Sequence, residues 1–214
     1  MARGRSDDTG ARQALPVQKR SRDRFERILN CAMELMAEKG SDALRMSDIV
    51  ERATVPFGSL YQYFPDKTAI IAVLALRYNA IGRDCVAAEL GALKAPADIH
   101  GVLCALTDSY YRFFLEEPVV RHIWQATQGD RALQKIDEED GIYLTGLLAD
   151  ALARAIPDAD EQVRVVFAQV VMVLIVAAVR HAITLPPEDS GRVLAAFKQM
   201  LPRGLTCPER LSGR

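Results

Sequence analysis

The stretch from Met46 to Lys67, Met-Ser-Asp-Ile-Val-Glu-Arg-Ala-Thr-Val-Pro-Phe-Gly-Ser-Leu-Tyr-Gln-Tyr-Phe-Pro-Asp-Lys, constrains the fold more than any other part of this chain. It reads as two short helices joined by a tight turn, with Pro65 stopping the second and Asp66 placed to cap the next. At about 100° per residue, Phe57, Leu60, Tyr61 and Phe64 fall on one arc of the second helix. Gly58, Ser59, Gln62 and Tyr63 fall on the other. The first arc can pack. The second offers an amide, a hydroxyl and a phenol, and Gly58 lets a partner come close.

That outer chemistry suits a nucleic-acid surface, and a helix-turn-helix places its second helix in the major groove of DNA. An amide such as Gln62 can donate and accept at once, which matches adenine N6 and N7. Ser59 and Tyr63, with Tyr61 if its hydroxyl reaches outward, can hydrogen-bond phosphate oxygens and so set register. Lys67, in the first turn of the following helix, joins a cation to free backbone N–H groups. The plainer reading of the same residues is a short core helix.

The run Gly58-Ser59-Leu60-Tyr61-Gln62-Tyr63-Phe64-Pro65-Asp66-Lys67 resembles the recognition-helix signature of the tetracycline-repressor (TetR) family of bacterial transcription regulators. The resemblance continues upstream through Phe25, Ile28, Leu29, Ala32, Lys39-Gly40, Asp42-Ala43 and Asp48-Ile49, and beyond residue 70 extends only to length and helical character. It implies an all-α protein. An N-terminal three-helix helix-turn-helix domain (21–67) would precede a C-terminal helical effector-binding and dimerisation bundle (68–202), with a disordered basic arm (1–20) and a flexible tail (203–214). It also implies a ligand-responsive repressor, binding a palindromic double-stranded DNA operator as a homodimer. The candidate DNA contacts are Arg22, Arg45, Ser47, Phe57, Gly58, Ser59, Tyr61, Gln62, Tyr63 and Lys67.

Several positions depart from the family pattern. Thr54 stands where a glycine usually makes the turn, so it is expected either to be strained or to change the turn. Pro56 replaces the hydroxyl residue that usually caps the recognition helix. Arg45 replaces a capping Thr or Ser, leaving Ser47 to take over as cap or Arg45 to reach a phosphate. Ser41 replaces a frequent aromatic.

Net charge is only −1, so the whole chain does not advertise a polyanionic partner. Its distribution does: residues 1–27 carry eight basic side chains against four acidic ones, which would add salt-sensitive phosphate attraction. The N-terminus has no apolar core of a signal peptide. Cys31, Cys85, Cys104 and Cys207 show no paired spacing and read as reduced cysteines in a cytoplasmic protein. His100 and Cys104 have a spacing that can grip a metal but lack further ligands, so no metal is expected. Asp137-Glu138-Glu139-Asp140 reads as a solvated run. There is no Gly-rich phosphate loop, Gly-x-Ser-x-Gly or His-Glu-x-x-His, so neither a cofactor nor an enzyme activity is expected.

Ser21 is placed to cap a first helix that Gly40 ends, and a fourth helix should run from about Asp66 to Leu90. Further helices are expected over Ala97–Glu116, Val119–Thr127, Arg131–Ile156, Asp160–Thr184 and Asp189–Leu201. Val165–Val179 is shorter than the roughly 20 residues a membrane span needs and reads as a deeply buried helix, with no membrane partner. Apolar nearly all round, it must bury both sides. One side can face its own domain and the other a second subunit, a monomeric core helix being the alternative; the resemblance implies a dimer built from this helix and the next, through Val166, Val170, Val173, Ala177, Leu194, Phe197 and Leu201. By the resemblance, an apolar or aromatic small-molecule effector would be held among Tyr110, Phe114, Trp124, Tyr143, Phe167 and His181. Trp124 reads equally as plain core.

Overall fold

The computed structural model describes residues 19–205, so the expected arm and tail lie mostly outside the described residues, as does Cys207. The described residues form α-helices and one 3-10 turn, in two compact units that divide after Ile70.

The first unit holds α1 (Lys19–Lys39), α2 (Met46–Ala53), α3 (Phe57–Tyr63) and the first turn of α4 (Lys67–Leu90). Helix α1 buries Phe25, Ile28, Leu29, Ala32, Leu35 and Met36, the three- and four-residue spacing of a single stripe. It ends where Gly40, at φ 82°, donates its N–H to the Met36 carbonyl. Lys19 and Arg20 are already helical, so Ser21 sits inside α1 and is not its cap. Ile49, Ala53, Leu60 and Phe64 close the core from α2 and α3, and Phe64 stacks on Phe25 with ring centroids 5.1 Å apart.

Thr54 retains the left-handed turn, at φ 51° and ψ 51°, the one non-glycine residue with positive φ among those described. A β-branched residue there carries strain on the order of 1 kcal/mol. Its N–H and that of Val55 still close on the Glu51 and Val50 carbonyls, so α2 ends satisfied. Arg52 forks onto Glu38 of α1 at 2.5 and 2.7 Å, and Lys39 pairs with Asp48. These exposed pairs orient α2 more than they stabilise it.

The second unit comprises the rest of α4, a 3-10 turn (Pro96–Asp98), α5 (Ile99–Glu116), α6 (Pro118–Thr127), α7 (Arg131–Ala155), α8 (Glu161–Ala182) and α9 (Pro187–Met200). Local chemistry sets the starts. Pro118 and Pro187 occupy first helical positions, the Asp130 carboxylate accepts the N–H groups of Ala132 and Leu133, and Asp160 accepts that of Val163. The 3-10 turn holds Ala97 and delays the α5 start to Ile99; Asp98 gathers the N–H groups of Lys94 and Ala95 at 3.0 and 2.8 Å.

Helix α8 packs on α5, α7 and α9 through Ala168, Val171, Met172, Ile175, Val179 and Ala182. It is not buried all round. Val165, Val166, Val170, Val173 and Leu174 stand 44–62% exposed, because its neighbours cover one side only. Two of the expected subunit contacts face inward instead: Leu194 and Leu201 belong to the unit's own core, and Phe197 packs partly against it. On α9 the apolar stripe is used up within its own unit.

Candidate functional site

Two places concentrate chemistry, one in each unit. In the first unit, Leu60 and Phe64 fix the buried side of α3. Gly58, Tyr61, Gln62 and Phe57 are exposed and Ser59 is half-exposed. Phe57 and Tyr61 therefore leave the packing arc expected for them, with about half of each ring surface open. Tyr63 moves the other way. Its ring meets Phe25 edge-on at 5.9 Å, and its hydroxyl lies 2.6 Å from Ser21 Oγ and 3.3 Å from the Ser21 carbonyl it donates to. At about 100° per residue Tyr63 lies only about 60° from Leu60, which is why the core captures it. It joins α3 to α1 and is not an outward phosphate ligand in this arrangement.

A Cβ built on Gly58 would meet nothing within 4 Å, so nothing among the described residues requires a glycine there. Neither Pro56 nor Arg45 caps its helix with a side chain. Ser47 does not replace them: inside α2, its hydroxyl donates to Asp48 at 3.1 Å. The hydrogen bond from Lys39, ahead of opposing desolvation, holds the Asp48 carboxyl below its ordinary value. Asp66 caps α4 as expected, accepting the Ala69 N–H at 2.8 Å. Lys67 is exposed at the first turn, its ammonium 3.5 Å from the Asp42 carbonyl, and Arg22, Arg45 and Ser47 are exposed as well. The structure thus gathers Phe57, Gly58, Ser59, Tyr61 and Gln62 on the open side of α3.

In the second unit, α4, α5, α6, α7 and α8 enclose a cavity of about 860 Å³. Tyr110, Phe114 and Trp124 line it as expected. Tyr143, Phe167 and His181 do not. Tyr143 is half-exposed beneath the Arg83 guanidinium at 4.2 Å, Phe167 packs against the unit's core, and His181 is exposed. Aromatic content marked the right helices without saying which side of each turns inward. Val173 and Ala177 also line the cavity while remaining exposed, so its rim merges with the open face of α8.

The polar wall was not anticipated. Arg180 forks onto Asp137 at 2.9 and 2.5 Å and hydrogen-bonds Tyr110, while Arg83 binds Asp140 at 2.6 Å. Asp137 and Asp140, read as solvated, lie three residues apart on one face of α7 and turn inward. The overlooked signal was Arg180, a cation ending an apolar run. Burial pushes the Tyr110 phenol up against the opposing Arg180 charge. Burial likewise raises the Asp140 carboxyl, with Arg83 opposing. Burial would weaken the Arg180 charge, but Tyr110 and Asp137 more than restore it. Tyr78 donates to Glu117 at 3.1 Å and is pushed up to about 12, first by burial and then by that carboxylate. His100 and Cys104 contact each other at 3.7 Å, and no metal-holding group occurs among the described residues.

Residues 28–74 match the model of bacterial regulatory proteins of the tetR family, and residues 97–208 that of the tetracyclin repressor-like C-terminal domain. In sequence the chain is 40% identical over 57 residues to YvdT of Bacillus subtilis, an uncharacterized HTH-type transcriptional regulator; the segment is 27% of this chain and 29% of that protein. It is 35% identical over 63 residues to the HTH-type transcriptional repressor KstR of Mycolicibacterium smegmatis, covering 29% of this chain and 28% of KstR. The chain thus matches less than a third of the length of these curated relatives. A TetR-family transcriptional regulator from Pectobacterium atrosepticum shares the fold with a TM-score of 0.69 at 17% identity, over 91% of this chain and 100% of that one. The multidrug binding protein EbrR, complexed with imidazole, does so at 0.63 and 19%, over 90% and 97%.

Proposed function

The chain belongs to the tetracycline-repressor (TetR) family of bacterial regulatory proteins, and from that premise we propose that it is a ligand-responsive transcriptional repressor that binds a palindromic DNA operator as a homodimer. The observation that carries this reading is the open side of α3. Gly58 and Gln62 stand exposed there and Ser59 half-exposed, while Leu60, Tyr63 and Phe64 hold the helix from behind. Gln62 is free to read a base edge, and Ser59, Tyr61 and Lys67 to take phosphates.

The cavity is the proposed effector site, taking an apolar or aromatic small molecule. Its volume lies within the roughly 300–1,000 Å³ of small-molecule pockets. Helix α4 contributes Ala75, Tyr78, Asn79 and Gly82 to the wall, and the same helix begins at Lys67. A ligand that displaced α4 would therefore act on the helix that carries a phosphate contact. To reverse occupancy from 99:1 to 1:99 it must favour the released form by about 5.5 kcal/mol.

Helix α8 is long and apolar enough to cross a membrane by length and composition. We assign its open valine face to a second copy of the chain, since half-sites one helical turn apart call for paired readers. A cytoplasmic, non-enzymatic protein without cofactor fits this role. The test is fluorescence anisotropy with duplexes selected from a random library. Binding should be tight and salt-sensitive, and an apolar small molecule should reverse it; absence of any sequence-selective binding would refute the role.

A further inference from the structure

Two N–H groups of cavity-lining residues have no acceptor among the described residues. Trp124 Nε1 and Arg180 Nε are buried and unpartnered, and both residues line the cavity. They share one corner of it, the Arg180 guanidinium carbon standing 5.4 Å from the centre of the Trp124 ring. The terminal nitrogens of Arg180 are already committed to Asp137, so its Nε–H remains the open donor. A buried donor left without an acceptor is costly, and a ligand oxygen would relieve that cost.

The charge around this corner narrows what can bring the oxygen. Asp137, Glu138 and Asp140 line the cavity against one lining cation, Arg180. A carboxylate ligand would meet like charge. A cation would find Asp137 paired with Arg180 and Asp140 with Arg83, leaving Glu138, which is exposed to solvent and weakly attractive there. The rest of the wall is apolar, with Phe113, Phe114, Val120 and Ile123 near the same helix ends.

Resting on the assignment of this cavity as the effector site, we propose that its ligand is a neutral, largely apolar molecule bearing a carbonyl-type oxygen, which accepts from Trp124 Nε1–H and Arg180 Nε–H. Acids and permanent cations of the same size are selected against. The corner is therefore a specificity element, and Trp124 is part of the site and not merely core.

Trp124 is the chain's single tryptophan, so its indole N–H gives one cross-peak in a ¹⁵N correlation spectrum. Titration with 9-fluorenone, fluorene and fluorene-9-carboxylate compares an acceptor, its hydrocarbon and its acid on one frame. Fluorenone should bind about tenfold tighter than fluorene, the worth of one such hydrogen bond, and move the indole proton downfield where fluorene does not. Trp124→Phe should collapse the ratio of fluorenone to fluorene affinity toward one, whatever the smaller ring does to both ligands alike. Equal affinities, strongest binding of the acid, fluorenone binding without the downfield shift, or binding of none of the three would overturn the proposal. Operator release is measured separately. Selective fluorenone binding without release would count against the sensing role alone, and release without selectivity against the acceptor alone.

Discussion

Substituting Gly58 by alanine separates what α3 needs in order to fold from what it needs in order to meet DNA. The added methyl would project into open space, with no atom within 4 Å of the built Cβ, and Gly58 has no positive φ to defend. A glycine in an exposed helix costs roughly 0.5–1 kcal/mol relative to alanine. Gly58→Ala should therefore unfold at a slightly higher urea concentration, by up to about that amount. The same methyl stands on the face that carries Gln62 and Ser59. If that face seats against base pairs, holding the helix off by a methyl's depth should weaken contacts worth about 1–3 kcal/mol each. Operator affinity, read by anisotropy at fixed salt, should fall by about tenfold or more while stability rises. An unchanged operator affinity would refute the placement of this face on DNA. Lower stability would refute the claim that the glycine is free of internal demands.

Tyr63→Phe removes the hydroxyl that meets Ser21 while keeping the ring on Phe25; urea unfolding should show a loss of about 1 kcal/mol, whereas a loss of operator affinity at unchanged stability would return Tyr63 to the phosphate contacts. Val170→Glu places a carboxylate on the open α8 face, where an isolated subunit tolerates it but a subunit contact does not; sedimentation should report a folded monomer, and a retained dimer would move the interface elsewhere. Asp140 has its carboxyl raised by burial, so the folded chain holds its proton more firmly than the unfolded chain does. Its contribution to stability must then fall as pH rises from the ordinary 3.8 through the raised value. Urea midpoints of wild type and Asp140→Asn should diverge in that window, the wild type losing ground with rising pH; parallel curves would contradict the burial of this carboxylate.

What the sequence revealed and what it concealed follow from how local the deciding forces are. Gly40, Pro65 and Asp66 mark helix ends because capping and ring closure act within a few residues. The left-handed turn at Thr54 could be anticipated as one of two outcomes for the same reason. The two sides of α3 could not be fully separated, since a seven-residue helix has barely two turns and a tyrosine suits either side. Tyr61 and Tyr63 exchanged roles accordingly. In the cavity, composition pointed to Tyr110, Phe114 and Trp124. The wall made by Asn79, Asp137 and Asp140 depends on how α4, α7 and α8 meet, and that arrangement leaves no local signature. The openness of α8 is of the same kind, because its apolar residues are needed whether a neighbouring helix or a second subunit covers them.

Whether α3 reads DNA through Gln62 is decided by sequencing the duplexes that wild type and Gln62→Ala each retain from one random library. Both proteins should retain two inverted half-sites about one helical turn apart. The wild type should also show a preference for an adenine-containing pair, at one symmetric position, that the variant loses, at a cost of about 1–3 kcal/mol. Identical preferences at every position for the two proteins would contradict readout through Gln62.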